Sequence, residues 1–129
     1  FYAGSILRPG SNSEYQLVDE RIVGHAPQKL SDAPAAAMPL TSLTAYEALF
    51  EQLGISQSSQ TNSGKTILII NGTGGAGSVA TQLAHLAGLT VIATASHPKG
   101  IQRTTEHGAQ LVVNHHQDLV KQVRSHGYK

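Results

Sequence analysis

The sequence predicts an α/β chain: part of a doubly wound parallel sheet, preceded by a β-rich segment. Three observations lead there. Ile67, Leu68, Ile69 and Ile70 form an unbroken aliphatic run, the pattern of a parallel strand covered on both faces. Gly72, Gly74 and Gly77 follow in the spacing G-x-G-x-x-G and open a helical pattern. Beyond them strand-like and helix-like stretches alternate as βαβαβα, an order that implies parallel strands joined by right-handed crossovers.

Taken in order, residues 1–30 read as β-rich and irregular. Tyr2-Ala3-Gly4 is a strand fragment and Ser11-Asn12-Ser13 a turn. Glu14-Tyr15-Gln16-Leu17-Val18 alternates polar with apolar, as a half-buried strand does. Arg21-Ile22-Val23-Gly24-His25-Ala26-Pro27 is another short strand closed by proline. These are too few strands to close a barrel. Ser31 and Asp32 can cap a short helix through Ala33-Pro34-Ala35-Ala36-Ala37, with Pro34 tolerated in the first turn. Pro39 should interrupt it. A second helix is expected from Ser42 to Leu53, with Leu43, Tyr46, Leu49, Phe50 and Leu53 on one stripe and Gly54 as its stop. The polar run Ser56-Gln57-Ser58-Ser59-Gln60 reads as a solvated loop, with Gly64 marking entry to the first parallel strand.

After the glycine turn a helix should carry Val79, Leu83, Leu86 and Ala87 inward and end at Gly88. Residues 89–95 form the second strand around Val91 and Ile92. Ser96-His97-Pro98 can cap a weaker helix containing Ile101 and Arg103, closed by Gly108. Leu111-Val112-Val113 is the third strand. Asn114 then caps a helix through Leu119, Val120 and Val123, ending near Gly127. A complete dinucleotide-binding sheet has about six strands, and the pattern here supplies half of that. Together with a first residue, Phe1, that is not methionine, this leads us to expect a piece of a longer protein.

Composition narrows the class. The 129 residues are 40% hydrophobic and 13% charged, as in a globular domain with few surface charges. The net charge of +1 comes without a basic tract, so nucleic acid is not an expected partner. No apolar run approaches the ~20 residues of a membrane span, and no signal peptide opens the chain. The absence of cysteine removes disulfides and thiolate metal ligands and fits a reducing cytoplasm, the expected location. The seven histidines form no H-E-x-x-H or other metal spacing, so no metal site is expected. His115 and His116, being adjacent, should point to different sides. Without a Gly-x-Ser-x-Gly elbow or paired carboxylates, hydrolytic chemistry has no support.

The chemistry that the residues do support is coenzyme binding. In G-x-G-x-x-G the first glycine permits a tight turn, the second lets backbone approach a pyrophosphate, and the third packs helix against strand. The helix that follows offers free N–H groups to an anion. Gly72, Thr73, Gly74, Gly75, Ala76 and Gly77 are therefore the expected pyrophosphate cradle. At the end of the second strand, coenzymes without a 2′-phosphate are usually met by an acid on the ribose hydroxyls, ~20 residues beyond the glycines. That place holds Thr94-Ala95-Ser96-His97-Pro98-Lys99, and no carboxylate follows until Glu106. A small hydroxyl followed by cations suits a 2′-phosphate instead. Ser96 and Lys99 are the direct candidates, and Arg103 is a weaker one a turn further on.

With these residues in view, the chain resembles the medium-chain dehydrogenase/reductase superfamily, in the branch of quinone oxidoreductases and their zinc-type alcohol-dehydrogenase-like relatives. The resemblance runs through Gly10-Ser11-Asn12-Ser13-Glu14-Tyr15, Ala35-Ala36-Ala37-Met38-Pro39-Leu40 and Leu43-Thr44-Ala45-Tyr46-Glu47-Ala48-Leu49. It continues through Gly64-Lys65-Thr66, the glycine turn, Ala80-Thr81-Gln82-Leu83-Ala84 and Val91-Ile92-Ala93-Thr94-Ala95-Ser96. It implies a GroES-like catalytic domain ending within residues 1–30, linking helices over residues 31–54, and the first half of an NAD(P)-binding Rossmann domain over residues 65–129. It also places Thr44 beside the nicotinamide, Ser96, His97 and Lys99 around the 2′-phosphate, and Asn114 and His115 at the adenosine end. Many members carry a basic residue where this chain has His97 and an acid near Lys99, so the division of labour between the two stays open. Zinc-dependent members have a cysteine ligand four residues before the threonine of Thr-x-Tyr, and here that position is Leu40.

The expectation is an NADPH-dependent, zinc-independent reductase of quinones or activated alkenes. Its partners would be a small-molecule substrate and a second copy, as a homodimer or through a sheet edge. No residue present is singled out as acid or nucleophile, Thr44 positions at most, and residues 1–129 alone are expected not to turn over. The rival expectations are a zinc-dependent alcohol dehydrogenase and a non-enzymatic NADPH-binding sensor or structural protein.

Overall fold

A computed structural model describes all of residues 1–129, which divide into two units, Phe1–Thr44 and Ala45–Lys129.

The first unit carries none of the expected strands. Its one regular element before residue 32 is a single 3-10 turn, Glu20–Ile22. Asp19 caps that turn by accepting the Arg21 N–H at 3.0 Å, and its carboxylate also pairs with the Arg21 guanidinium at 2.6 Å. The Arg21 guanidinium holds the Asp19 carboxyl below its ordinary value. A two-way backbone pairing of Phe1 with Gly24 is the nearest approach to a ladder, with N···O distances of 2.6 and 2.8 Å. The alternating run at residues 14–18 has no strand beside it, and an extended segment without a partner cannot satisfy its N–H and C=O groups as a strand.

Helix α1, Asp32–Tyr46, also departs from expectation. Pro34 sits in its first turn as predicted, but Pro39 lies inside and does not end it. Proline removes one N–H from the ladder. Nearby hydroxyls take up carbonyls around it: Thr41 donates to Met38 O at 3.2 Å and Thr44 to Leu40 O at 2.8 Å.

In the second unit α1 passes into a π-helical turn, Glu47–Gln52, closed by Leu53 N–H to Ala48 O at 3.1 Å. Leu49 points from it into the core. The expected polar loop is in part folded as α2, Ser59–Asn62. Asn62 is wholly buried, and its amide donates to Ser56 O at 2.6 Å and to Ala87 O at 2.8 Å. A Cβ on Gly88 would lie 2.8 Å from Ser59 Cα, so this short helix rests directly on the chain's turn at Gly88. Asn62→Ala should therefore destabilise the unit by about 2–3 kcal/mol, since two carbonyls lose their donor and a void remains. A melting temperature equal to wild type would show that the segment is not part of the cooperative fold.

Three strands follow, β1 Thr66–Ile69, β2 Thr90–Thr94 and β3 Leu111–Val113, parallel and in the order β1-β2-β3. Between and after them come α3 Gly75–Leu86, α4 Pro98–Glu106 and α5 Leu119–Ser125. The alternation predicted for this half of the chain is what the structure has. The core gathers Leu49, Ile69, Ala84, Leu89, Val91, Ala93 and Ala109, with Ile67, Leu83 and Val112 packed against it.

Three local readings are corrected. First, β1 is not covered on both faces: Ile67 and Ile69 pack inward, but Leu68 and Ile70 are 44% and 57% exposed. Ile92, in register with Leu68, is buried, so cover on that face reaches β2 and stops short of the edge strand. Second, α3 buries Thr81 and Ala84, whereas Leu86 is 75% exposed. Third, the caps lie elsewhere. Helix α4 is entered through His97, with Pro98 as its first residue and no side-chain cap, so Ser96 does not cap it. Helix α5 is capped by Asp118, which accepts the Lys121 N–H at 2.9 Å, and not by Asn114.

Candidate functional site

The site is built where β1 and β2 end. The left-handed turn that the chain needs on leaving β1 falls on Asn71, φ 58°, and not on a glycine. Asn tolerates that conformation better than most residues because its short amide can bond locally. Here the Thr73 hydroxyl meets Asn71 Oδ1 at 3.3 Å. The Asn71 carbonyl accepts the Gly74 N–H at 3.0 Å and closes the turn. The Asn71 and Gly72 N–H groups both go to Thr94, the first to its hydroxyl at 2.7 Å and the second to its carbonyl at 3.0 Å.

Each glycine of the motif then has a measurable reason. A Cβ on Gly72 would stand 2.9 Å from Ala93 Cβ and 3.0 Å from Thr104 Cγ2, so the first glycine makes room for β2 and α4. A Cβ on Gly77 would stand 2.1 Å from the Asn71 carbonyl oxygen, so the third lets α3 close against the turn. At Gly74 the nearest atom is the Asn71 side-chain amide at 2.7 Å, with backbone no nearer than the Asn71 carbonyl oxygen at 3.3 Å, so the fold presses least on the second glycine. That is the position at which an approaching pyrophosphate needs bare backbone.

Helix α3 starts at Gly75 with Gly74 as a cap that has no side chain to offer. Its first N–H groups have no intrahelical acceptor, and the helix dipole adds positive charge there. Thr73 and Gly75 are exposed, and Gly74, Ala76 and Gly77 partly so. A bare-backbone cradle at an uncapped helix N-terminus fits a pyrophosphate group.

Close by, α4 comes against the turn. A Cβ on Gly100 would lie 2.7 Å from Thr73 Cγ2. Between them is an open recess of about 390 Å³ lined by Thr73, Lys99, Gly100, Gln102, Arg103 and Glu106. The structure thus brings Lys99 together with the glycine turn and adds Arg103 to the same recess. Glu106 also lines it, accepting from Gln102 Nε2 at 2.8 Å, so the recess is cationic by a margin of one charge. Ser96 and His97 are exposed on the segment joining β2 to α4 and stand outside that lining.

Asn114 is occupied structurally. Its side-chain oxygen accepts the His116 N–H at 2.9 Å, and its backbone N–H and C=O are both held by the Gln122 amide at 2.9 Å. The His115 and His116 rings do not diverge as expected; their centroids are 4.3 Å apart. Thr44 belongs to the first unit, where its hydroxyl is committed to Leu40 O. Leu40 is 66% exposed and carries no donor atom. No three His, Asp or Glu side chains converge in a way that could hold a metal ion.

Sequence reasoning missed Asn71 and Thr94. Asn71-Gly72 carried a signal, since Asn-Gly marks left-handed turns. Thr94 carried none, because its part depends on a strand pairing that only the fold reveals.

No family model matches the chain. Over 124 residues it is 51% identical to a zinc-type alcohol dehydrogenase-like protein of Staphylococcus epidermidis, covering 96% of this chain and 37% of that protein. It is 31% identical over 113 residues to an NADPH-dependent alkenal/one oxidoreductase of Arabidopsis thaliana, covering 87% of this chain and 28% of that protein. Among solved structures, a Rhizobium etli protein described as a zinc-dependent alcohol dehydrogenase superposes with a TM-score of 0.86 at 46% identity, over 98% of this chain and 37% of that one. A structure described as an NAD-dependent alcohol dehydrogenase gives 0.82 at 34% identity, over 93% and 34%. The Escherichia coli quinone oxidoreductase complexed with NADPH gives 0.67 at 28% identity, over 79% and 30%. The chain spans little more than a third of the length of the first of these relatives.

Proposed function

We propose, for a chain that belongs with the zinc-type alcohol dehydrogenase-like and quinone oxidoreductase members of the medium-chain dehydrogenase/reductase superfamily, that the whole protein is an NADPH-dependent, zinc-independent reductase. Its substrates are quinones or activated, enone-like double bonds. The observation that carries this reading is the pairing of an uncapped glycine cradle with a recess that holds Lys99 and Arg103 and no ribose-binding acid at the end of β2.

Gly74, Gly75, Ala76 and Gly77 take the pyrophosphate through backbone N–H groups, and Thr73 adds a hydroxyl at the rim. Ser96, His97 and Lys99 take the 2′-phosphate, with Ser96 as neutral donor and Lys99 as cation. Asn114 and His115 lie at the adenosine end, and Thr44 orients the nicotinamide. The bound coenzyme supplies the hydride. The residues of this chain bind and orient it, and we assign none of them as acid or nucleophile. Two relatives support the coenzyme: one named for NADPH-dependent alkenal/one reduction and one solved with NADPH bound. The NAD-dependent neighbour makes NADH the rival, and the direct test is oxidation of each coenzyme by the full-length protein with a simple quinone. Turnover with NADPH is expected; binding without turnover would favour a sensor.

Zinc independence rests on Leu40, which occupies the place of a cysteine ligand and has no lone pair to give. Metal analysis of the full-length protein should find no stoichiometric zinc, and one zinc per chain would instead favour the alcohol dehydrogenase named among its relatives.

A further inference from the structure

We infer that Thr94 is a positioning residue that sets coenzyme selectivity by fixing the spacing between the glycine turn and the Ser96–Lys99 segment. The inference rests on the NADPH reading above and names a residue that does not itself touch the coenzyme.

Thr94 is the last residue of β2 and is fully buried. It takes two consecutive N–H groups of the turn, that of Asn71 on its hydroxyl and that of Gly72 on its carbonyl, at 2.7 and 3.0 Å. On its other side the chain continues as Ala95, whose N–H donates to Val113 O at 3.0 Å, and then as Ser96, His97, Pro98 and Lys99. One residue therefore joins the pyrophosphate cradle to the segment proposed for the 2′-phosphate. Two packing contacts assist it: Gly72 against Ala93 and Thr104, and Gly100 against Thr73. Both are apolar contacts without hydrogen bonds. The backbone bond from Gly72 to the Thr94 carbonyl fixes one point of the turn whatever the side chain, and the hydroxyl bond adds a second directional tie, at Asn71, the residue with the positive φ.

NADPH must engage both places at once, so its second contact forms with an effective concentration set by how well their spacing is held. NADH shares the cradle but has no 2′-phosphate to engage the Ser96–Lys99 segment. Losing the Thr94 hydroxyl should weaken NADPH much more than NADH. A residue that mattered only to stability would weaken both alike.

The test is a titration of the full-length protein and its Thr94→Val and Thr94→Ser variants with both coenzymes, below the melting temperature of each. Valine keeps the volume and deletes the acceptor. The expected result is a loss of about tenfold in NADPH affinity for Thr94→Val with NADH within about threefold, and recovery by Thr94→Ser. An unchanged NADPH-to-NADH ratio in Thr94→Val overturns the inference. If that variant does not fold, hydrogen exchange in the wild type decides. Slow exchange at the Asn71 and Gly72 amides, slowed further by NADPH than by NADH, is expected, and exchange at loop rates overturns it. Wild-type protein with no preference for NADPH overturns the proposed coenzyme and this inference together, whereas a preference that survives Thr94→Val overturns this inference alone.

Discussion

Gly77→Ala should destabilise the sheet unit by about 3 kcal/mol or more, the upper range for forcing an atom into a packed site. The added Cβ meets the Asn71 carbonyl oxygen at 2.1 Å, more than an ångström inside contact distance, and the obstacle is backbone. That carbonyl has little freedom to retreat. It already accepts the Gly74 N–H, and Asn71 itself is pinned through its own N–H to the buried Thr94 hydroxyl. Relief requires α3 to lift off β1, which separates Ala84 and Leu83 from the core they share with Ile69. Gly74→Ala gives the contrast. Its Cβ meets chiefly a side-chain amide held only by a 3.3 Å contact with the Thr73 hydroxyl, so stability should fall by about 1 kcal/mol, well short of Gly77→Ala. Its methyl group would stand on the cradle, and coenzyme affinity should fall without a matching change in melting. Chemical denaturation of the two variants separates these effects. Equal stabilities for Gly77→Ala and wild type would mean that the turn adopts another geometry.

On the proposed NADPH reading, Lys99→Glu should abolish the preference for that coenzyme, lowering its affinity about ten- to a hundredfold while NADH stays within about threefold. The electrostatics support that range. A 2′-phosphate carries nearly two negative charges at neutral pH, and one unit pair at ~4 Å in water is worth roughly 1 kcal/mol before screening. Reversing Lys99 removes an attraction and adds a repulsion in a recess where Glu106 already offsets one of the two cations. Arg103→Ala should act in the same direction and less strongly. Because the recess is open, salt should erode the difference, and the gap between wild type and Lys99→Glu should narrow from ~0.05 to ~0.5 M. A Lys99→Glu protein that loses NADPH and NADH equally would remove this side chain from the 2′-phosphate.

The parts of this chain that were legible in the sequence are those whose signals are local. The aliphatic run of β1, the glycine spacing and the strand–helix alternation after it each depend on neighbours in sequence, and they led to three parallel strands and the helices between them. What was not legible depends on partners in space. The alternating residues at 14–18 have the period of a strand, but a strand also needs another strand to take its hydrogen bonds, and none pairs with them here. Pro39 carries a helix-breaking signal, yet α1 continues through it with hydroxyls from Thr41 and Thr44 on nearby carbonyls. Leu68 and Ile70 read as core because they are apolar, but no segment of this chain packs over Leu68 in β1 or over Ile70 just beyond it, and both are exposed.

At the site, G-x-G-x-x-G correctly located the turn, but the positive φ falls on Asn71 and the first glycine serves packing instead. Ser96 looked like a cap and is not one, since α4 starts at Pro98 and the capping position therefore falls on His97. Lys99 was nominated from its distance along the chain. Its sharing a recess with Thr73 and Arg103 follows from the close approach of Gly100, which no spacing rule contains.

In the proposed reading, the turn after β1 and the segment after β2 together select the phosphorylated coenzyme. Equilibrium titration of the full-length protein with NADPH and NADH at fixed ionic strength tests it most directly. NADPH should bind at least about tenfold tighter than NADH, a difference of the size that one charge-assisted phosphate contact supplies. Tight NADH binding with no response to NADPH would contradict it.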